Sequence, residues 1–206
     1  GQAVTVVGDL IMVGAAKANG VVEEAGAVYV FQMNEAEQWV EAQKLTAADG
    51  ANSDYFGSAL AVSGRTAIVG AYENDEAGRS TGAAYIFEQG EDGLWIEHQK
   101  LTVDDPNSRD YFGWSVALGE GRAFVGAFGE SAVYAFEPDD ADVWQEVQRI
   151  RGGDTRFDDW FGRSVATDGD MLIVGSPRRD VPGANFEGRN QGSAYVFARG
   201  DDGLWV

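Results

Sequence analysis

One segment of this chain occurs three times. Asp54 to Tyr72 reads DYFGSALAVSGRTAIVGAY, Asp110 to Phe128 reads DYFGWSVALGEGRAFVGAF, and Asp159 to Pro177 reads DWFGRSVATDGDMLIVGSP. The first residues of the chain, Gly1 to Ala15, align with the same pattern without a gap. Self-similarity at a period of roughly 50 residues is typical of repeat architectures. We therefore expect one region over 1–206 that is built from four equivalent units, at about 1–55, 56–111, 112–160 and 161–206.

Each unit contains short segments that are typical of β-strands. In the second unit these are Ser58–Val62, Thr66–Ala71, Gly82–Phe87 and Trp95–Leu101, with glycine-containing turns between them. In the last segment Trp, Glu, Gln and Leu alternate, so we expect these four side chains to share one face. Four strands per unit at this period predict an all-β protein, a β-propeller of four-stranded antiparallel blades. The fourth unit stops at Gly203–Val206, so the last blade is expected to lack most of its outer strand.

The repeated residues resemble those of the FG-GAP repeat family, which occurs in integrin α-subunit propellers and in many bacterial surface proteins. The match is Phe-Gly, then Ser-Val-Ala, Val-Gly-Ala and Gly-Ala-Tyr-Val-Phe, and it extends over essentially the whole chain. The resemblance implies propeller blades in rings that are usually larger than four, an extracellular or cell-surface location, and a role in adhesion or ligand binding.

A blade that is apolar on both faces must stack against another blade. Three arrangements are therefore open for this chain. It is a fragment of a longer propeller, one half of a homodimer that joins two half-rings, or a self-closed ring of four blades.

The charge and composition exclude several classes of partner. The formal charge of −19 should repel nucleic-acid phosphates and anionic lipid surfaces. Since no apolar run approaches the ~18–20 residues of a membrane span, we expect no membrane insertion. The chain has no cysteine, which removes disulfides and thiolate sites. It opens without a basic leader, so no signal peptide is expected within it.

The carboxylates raise the question of calcium. Integrin-type FG-GAP blades often carry an Asp-rich calcium loop between their first and second strands. The corresponding turns here hold at most one carboxylate, except Asp168-Gly169-Asp170, whose hairpin is too short to wrap an ion. A second acidic series lies between the units, where Asp54, Asp110 and Asp159 share one repeat position and are expected to accept backbone N–H bonds. We predict no cofactor, and the candidate ligands, should calcium bind, are Asp168, Asp170, Asp49, Asp54, Asp104 and Asp110.

The sequence contains no recognisable set of catalytic residues. The single histidine, His98, takes the position of Ala42 and Val147 in the sister units, so we expect it to be an ordinary strand residue. Serines recur in the first segment of the units, but no second histidine is present to activate one. We predict that the chain is not an enzyme.

The loop after the second segment of unit 4, PRRDVPGANFEGRNQG, is the one locally basic stretch. Its Arg178, Arg179 and Arg189 surround Phe186, a combination that can engage carboxylates, acidic sugars or a protein surface. The hypothesis is a non-catalytic extracellular module that binds a protein or a glycan through its loops. The alternatives are a carbohydrate-binding propeller, an enzyme with carboxylates at the mouth of the ring, and a structural unit that completes a ring by oligomerisation.

Overall fold

The computed structural model describes residues 1–180 and 190–206, and within them all regular structure is β. The strands are β1 (Ala3–Val7), β2 (Leu10–Ala15), β3 (Ala27–Met33), β4 (Trp39–Leu45), β5 (Ala59–Ser63), β6 (Thr66–Ala71), β7 (Ala83–Gln89), β8 (Trp95–Leu101), β9 (Phe112–Gly119), β10 (Arg122–Ala127), β11 (Ala132–Pro138), β12 (Trp144–Ile150), β13 (Ser164–Asp168), β14 (Met171–Ser176) and β15 (Ser193–Ala198).

These strands form four antiparallel sheets in which each strand pairs with its neighbours in sequence. Blade 1 is β1–β4, blade 2 is β5–β8, blade 3 is β9–β12 and blade 4 is β13–β15. The last residues of the chain pair with the end of β15, since Ala198 and Val206 exchange two backbone hydrogen bonds of 3.0 Å. The all-β prediction, and the prediction of four-stranded blades with an incomplete fourth one, are therefore confirmed.

The fourth strand of a blade does not place its residues as predicted. Ile86 pairs with Gln99 and Phe87 with Glu97, so His98 is an extra residue in a β-bulge. A bulge of one residue shifts the alternation by one. Trp95 consequently packs in the core shared with blade 1, whereas Leu101 packs in the core shared with blade 3. The prediction that Trp, Glu, Gln and Leu share a face is wrong, and Ala42 and Val147 occupy the same bulge in blades 1 and 3.

The phenylalanine of each Phe-Gly pair fills the space between two blades. Phe56, Phe112 and Phe161 are fully buried. Phe112 meets the rings of Tyr134 and Phe136 edge-on, with centroids 5.5 and 6.0 Å apart. Its cluster also contains Ile68, Ile86 and Leu101 of the preceding blade. Edge-to-face contacts of this kind add to the free energy gained by burying the rings, and they recur at each blade junction.

The glycine of each Val-Gly-Ala triplet allows two backbones to touch. A Cβ on Gly70 would lie 2.0 Å from the carbonyl oxygen of Gly113, and one on Gly14 would lie equally close to that of Gly57. The partner glycine of Phe-Gly has a left-handed backbone, with φ of +87° at Gly113. Both positions therefore require glycine for steric reasons. Here blade stacking is set by main-chain contact as well as by side chains.

A glutamine in each fourth strand joins its blade to the next one. The Gln99 amide donates to the carbonyl of Trp144 at 2.9 Å and accepts from its N–H at 2.7 Å. Gln43 bonds Trp95 in the same way, and Gln148 bonds Trp205. Because the bulge at His98 turns Gln99 towards blade 3, these hydrogen bonds depend on the bulge, which strict alternation of side chains does not predict.

The shared aspartate between the blades caps its turn as the sequence indicates. The carboxylates of Asp54, Asp110 and Asp159 accept the backbone N–H three residues before them at 2.8, 2.6 and 2.8 Å. All three side chains are buried. Desolvation by this burial raises the pKa of Asp54 and Asp110. The shape of each inter-blade loop thus rests on an acceptor that is shielded from water.

The two outer faces of the four-blade stack remain exposed. On blade 1, Val4 and Val6 are 66% and 61% exposed, whereas their counterparts in blade 2, Leu60 and Val62, pack against a core. On the opposite face of blade 4, Val196 is 64% exposed. The four blades of this structure therefore form an open arc, so the self-closed ring of four is not what it adopts.

We predict that Gly70→Ala destabilises the protein by about 1–3 kcal/mol, because the new Cβ must push the Gly113 backbone of the next blade away. Thermal unfolding followed by circular dichroism measures the effect. Gly153→Ala is the matched control, since nothing lies within 4 Å of a Cβ at that position. Equal melting temperatures for the two variants would contradict the proposed backbone contact.

The aspartate cap gives a second prediction. Asp54→Ala should cost roughly 1–3 kcal/mol of unfolding free energy, since it leaves the N–H of Ala51 and the buried amide of Asn74 without their acceptor. Asp54→Asn keeps an acceptor oxygen and removes a carboxylate that is costly to ionise in this site, so it should be at least as stable as the unsubstituted chain at pH 7. Denaturant titration compares them. A loss in Asp54→Asn as large as in Asp54→Ala would show that the charge matters and the acceptor does not.

Candidate functional site

One rim of the blade arc carries a chain of contacting aromatic side chains, which we call the aromatic rim. Its members are Tyr55, Tyr72, Tyr111, Trp114, Phe128 and Trp160. Neighbouring ring centroids along it are 4.4 to 6.2 Å apart, and the chain runs from blade 2 across blade 3 to blade 4. Phe128 is buried, whereas the other five rings are half-buried and reach solvent. Half-exposed aromatic groups on a rigid scaffold are characteristic of recognition surfaces.

An unusual backbone conformation presents three of these rings. Tyr55, Tyr111 and Trp160 each precede a Phe-Gly pair and have φ values of 59°, 54° and 60°. Bulky residues are rare in this left-handed region, where glycine or asparagine costs less. The conformation is held by the capped turn before it and by a bond from the residue three positions on, as from the N–H of Trp114 to the carbonyl of Tyr111 at 3.1 Å. Strained residues of this kind concentrate at functional sites.

The aromatic rim adjoins a cavity of about 480 Å³, which we call the axial cavity, between the first strands of all four blades. One repeat position lines it four times, directly after the glycine that begins each unit (Gly1, or the glycine of Phe-Gly), and its occupants are Gln2, Ser58, Trp114 and Arg163. Tyr72 of the aromatic rim also lines it. The cavity has the size of a small-molecule site. The backbone at this repeat position is the same in every blade, whereas the side chain that it presents to the cavity differs from blade to blade.

Cations gather on this rim although the chain is strongly acidic. The guanidinium of Arg163 lies 4.0 Å from the ring centre of Trp114, and that of Arg178 lies 3.4 Å from the ring centre of Trp160. The ammonium of Lys17 is 5.9 Å from the ring of Tyr55. Such contacts are cation–π interactions. Burial lowers the pKa of Arg163.

The basic loop of unit 4 is only partly within the described residues. Arg178 is exposed and joins the aromatic rim through Trp160. Arg179 is buried and faces elsewhere, since it bonds the Asp154 carboxylate at 2.7 Å and the Tyr195 hydroxyl at 3.2 Å. The structure thus separates the two arginines that the sequence grouped. Phe186 and Arg189 lie outside the described residues.

The acidic residues considered for calcium have protein partners or stand apart. Asp54 and Asp110 cap turns. Asp49 accepts bonds from Lys100 at 2.5 Å and Tyr85 at 2.9 Å, and although burial acts in the opposite direction, these bonds lower its pKa. The remaining candidates, Asp104, Asp168 and Asp170, are exposed.

A different set of potential ligands converges in the described part of the chain. Side-chain atoms of Glu88, His98 and Asp142 lie within 4.8 Å of one another. His98 is placed there by the bulge, and its Nε2 is 2.7 Å from the backbone oxygen of Asp142. Glu88 is half-buried on β7 of blade 2, and Asp142 is exposed in the turn between β11 and β12 of blade 3. Neither residue belongs to the aromatic rim.

Reasoning from the sequence missed the aromatic rim. The rings come from three separated repeats. Their contacts depend on left-handed backbone at Tyr55, Tyr111 and Trp160, and the residue types at these positions do not predict that conformation. One signal was nevertheless present. The residue after the first glycine of each unit differs in every unit, although the residues around it repeat closely, and its occupants are Gln2, Ser58, Trp114 and Arg163.

Comparison with known families supports the repeat directly. A model of the FG-GAP repeat matches residues 39–87, 95–136 and 144–197, which is more than half of the chain. Each match starts at the tryptophan of a fourth strand and ends in the third strand of the next blade, so one family unit contains a complete inter-blade loop. No curated protein matches this chain. Among the described residues no helix is long and apolar enough to cross a membrane. With three matched repeats, four antiparallel blades and Phe-Gly pairs at the blade junctions, this chain belongs to the FG-GAP repeat family.

Proposed function

We propose that this chain is a non-catalytic extracellular binding module that recognises a protein or a glycan through the aromatic rim and the loops beside it. FG-GAP repeats are typical of extracellular proteins and their propellers are in general not enzymes. The observation that carries the proposal is the row of half-exposed rings, three of them on left-handed backbone, with an arginine stacked on Trp114 and another on Trp160. Such rings are poorly explained by core packing alone, because they remain open to solvent.

The chemistry of the rim favours recognition over catalysis. The hydroxyls of Ser58 and Ser115, which line the axial cavity, donate to the backbone oxygens of Gly70 and Gly162 at 3.1 and 2.8 Å. Backbone acceptors orient these hydroxyls, whereas a nucleophilic serine needs a general base at that distance. Aromatic and arginine side chains are the residue types that dominate binding hot spots.

The test is binding of the purified chain to an array of neutral and acidic glycans and, in parallel, to immobilised collagen and fibronectin. In the double variant Tyr111→Asn with Trp160→Asn, the rings are removed while asparagine tolerates the left-handed backbone. We expect its affinity for the bound probe to fall at least about tenfold, as for hot-spot aromatics.

Ile96→Ala is the control, because Ile96 is 62% exposed on the outer strand of blade 2. Melting temperatures verify that all variants fold. The proposal is rejected by a chain that binds none of the probes, or by rim variants that bind as well as the control.

A second role, completion of a ring by oligomerisation, is favoured by the two exposed faces. In the junction of blades 2 and 3, Ile68 and Ile86 meet Phe112, Tyr134 and Trp144. Blade 4 exposes Ile173 and Val196, which correspond to Ile68 and Ile86, and blade 1 exposes Trp39, which corresponds to Trp144. The occupant we propose for each face is the opposite face of a second copy, since the chain already makes this kind of contact at its internal junctions.

We expect the unsubstituted chain to form a head-to-tail dimer, and light scattering after size-exclusion chromatography measures its mass. Val6→Glu on blade 1 and Val196→Glu on blade 4 should each give monomers, because a charge would be buried in both junctions. An equimolar mixture of the two variants should recover dimers, since one junction between them lacks a substitution. A monomeric unsubstituted chain, or a mixture that stays monomeric, would contradict this arrangement.

A further inference from the structure

The axial cavity contains a cation that the protein itself does not neutralise. Among the described residues, the guanidinium of Arg163 forms no ion pair and donates no hydrogen bond. Three arginines of the same two blades, Arg122, Arg179 and Arg199, each pair with a carboxylate. An unpaired charge that is half removed from water is costly. In a chain with 34 acidic residues, a carboxylate partner would be easy to supply.

The geometry leaves the guanidinium ready to bind an anion. Arg163 rests against the ring of Trp114 at 4.0 Å and that of Phe128 at 5.5 Å. Stacking engages the flat face of a guanidinium, so its N–H donors stay available around the edge. Those donors match the two oxygens of a carboxylate in a bidentate pair. Arg163 belongs to the repeat position that lines the axial cavity.

The other residues that line the axial cavity indicate what else the ligand must contain besides an anionic group. The cavity wall also contains the rings of Trp114 and Tyr72, which offer apolar surface, and Gln2 and Ser164, which offer polar side chains. A sugar ring presents one face of C–H groups and an edge of hydroxyls, and so can use both kinds of wall. An acidic peptide side chain would satisfy Arg163 but would leave the rings without a partner.

The net charge limits how many anionic groups the ligand carries. A polyanion would be repelled by a chain with a formal charge of −19. Among the described residues that line the axial cavity, Arg163 is the one cation. A ligand with a single carboxylate per bound unit agrees with both facts.

We propose that the axial cavity binds an acidic sugar, with the carboxylate of a uronic acid unit paired to Arg163 and the sugar ring against Trp114 and Tyr72. This inference rests on the proposed binding function and narrows it to a ligand class and a residue. The aromatic rim then extends the site outwards, where Arg178 on Trp160 is placed to meet further parts of a glycan.

The experiment titrates the chain with D-glucuronic acid and with D-glucose, and follows the tryptophan indole N–H signals by NMR. Glucose has the same ring without the carboxylate. We expect glucuronic acid to bind at least about tenfold more tightly than glucose, which corresponds to one charge-assisted hydrogen-bonded pair. Arg163→Gln should remove that preference, and Arg163→Lys should restore part of it, because lysine supplies the charge without the bidentate geometry.

Arg79→Gln is the matched control, since Arg79 is exposed and does not line the cavity. Equal affinity for the two sugars, no binding of glucuronic acid, or an unchanged preference in Arg163→Gln would each overturn the inference. A titration with the peptide Ala-Asp-Ala that shows tighter binding than glucuronic acid, lost in Arg163→Gln, would overturn the sugar assignment. Rim-dependent binding of a neutral glycan or a protein would leave the proposed function intact while this inference fails, so the two failures are distinguishable.

Discussion

The structure depends on the close approach of two backbones at every blade junction. The carbonyl of the glycine in Phe-Gly lies against the glycine of Val-Gly-Ala in the preceding blade, at a distance that leaves no room for a Cβ. This contact fixes how closely and at what angle two blades stack, and the buried phenylalanine then fills the gap beside it. The turn that delivers the Phe-Gly pair is set by an aspartate whose acceptor is shielded from water. The repeated residues thus form the same junction between each pair of neighbouring blades. This repetition places the first strands of all four blades around a shared axis.

The same junction produces the candidate site. Since the residue before Phe-Gly must adopt a left-handed backbone, its side chain is directed to the rim, and the residue after Phe-Gly is directed to the axial cavity. Neither position belongs to the buried apolar clusters between the blades. Both are therefore available to vary, and Gln2, Ser58, Trp114 and Arg163 show that variation within one chain. A scaffold that is constant in its junctions and variable at its axis is well suited to recognition, because new side chains can be introduced there at little cost to stability.

The sequence was sufficient for the fold because its information is local and repeated. Thr66–Ala71 and Trp95–Leu101 were predicted with the bounds that they have. The turn-capping role of Asp54 followed from its place before Phe-Gly. The sequence was insufficient where a single residue changes the geometry: His98 appeared to be an ordinary strand position, yet as a bulge it reverses the orientation of every residue after it. The aromatic rim could not be predicted for another reason, since the rings of Tyr72 and Trp114 come into contact only when two blades are stacked. Arg178 was found through its basic loop, whereas Arg163, alone in its segment, was not.

The bulge in the fourth strand has a mechanical consequence. Before the bulge the strand holds its tryptophan in the junction with the preceding blade, and after it the strand extends a glutamine and a leucine into the junction with the next one. Each outer strand therefore contacts both neighbouring blades. These contacts form a continuous series along the outer edge of the arc, separate from the contacts near the axis. Every junction is therefore held at two separate places, by these outer strands and by the glycine contacts, and a changed side chain in the axial cavity removes neither link.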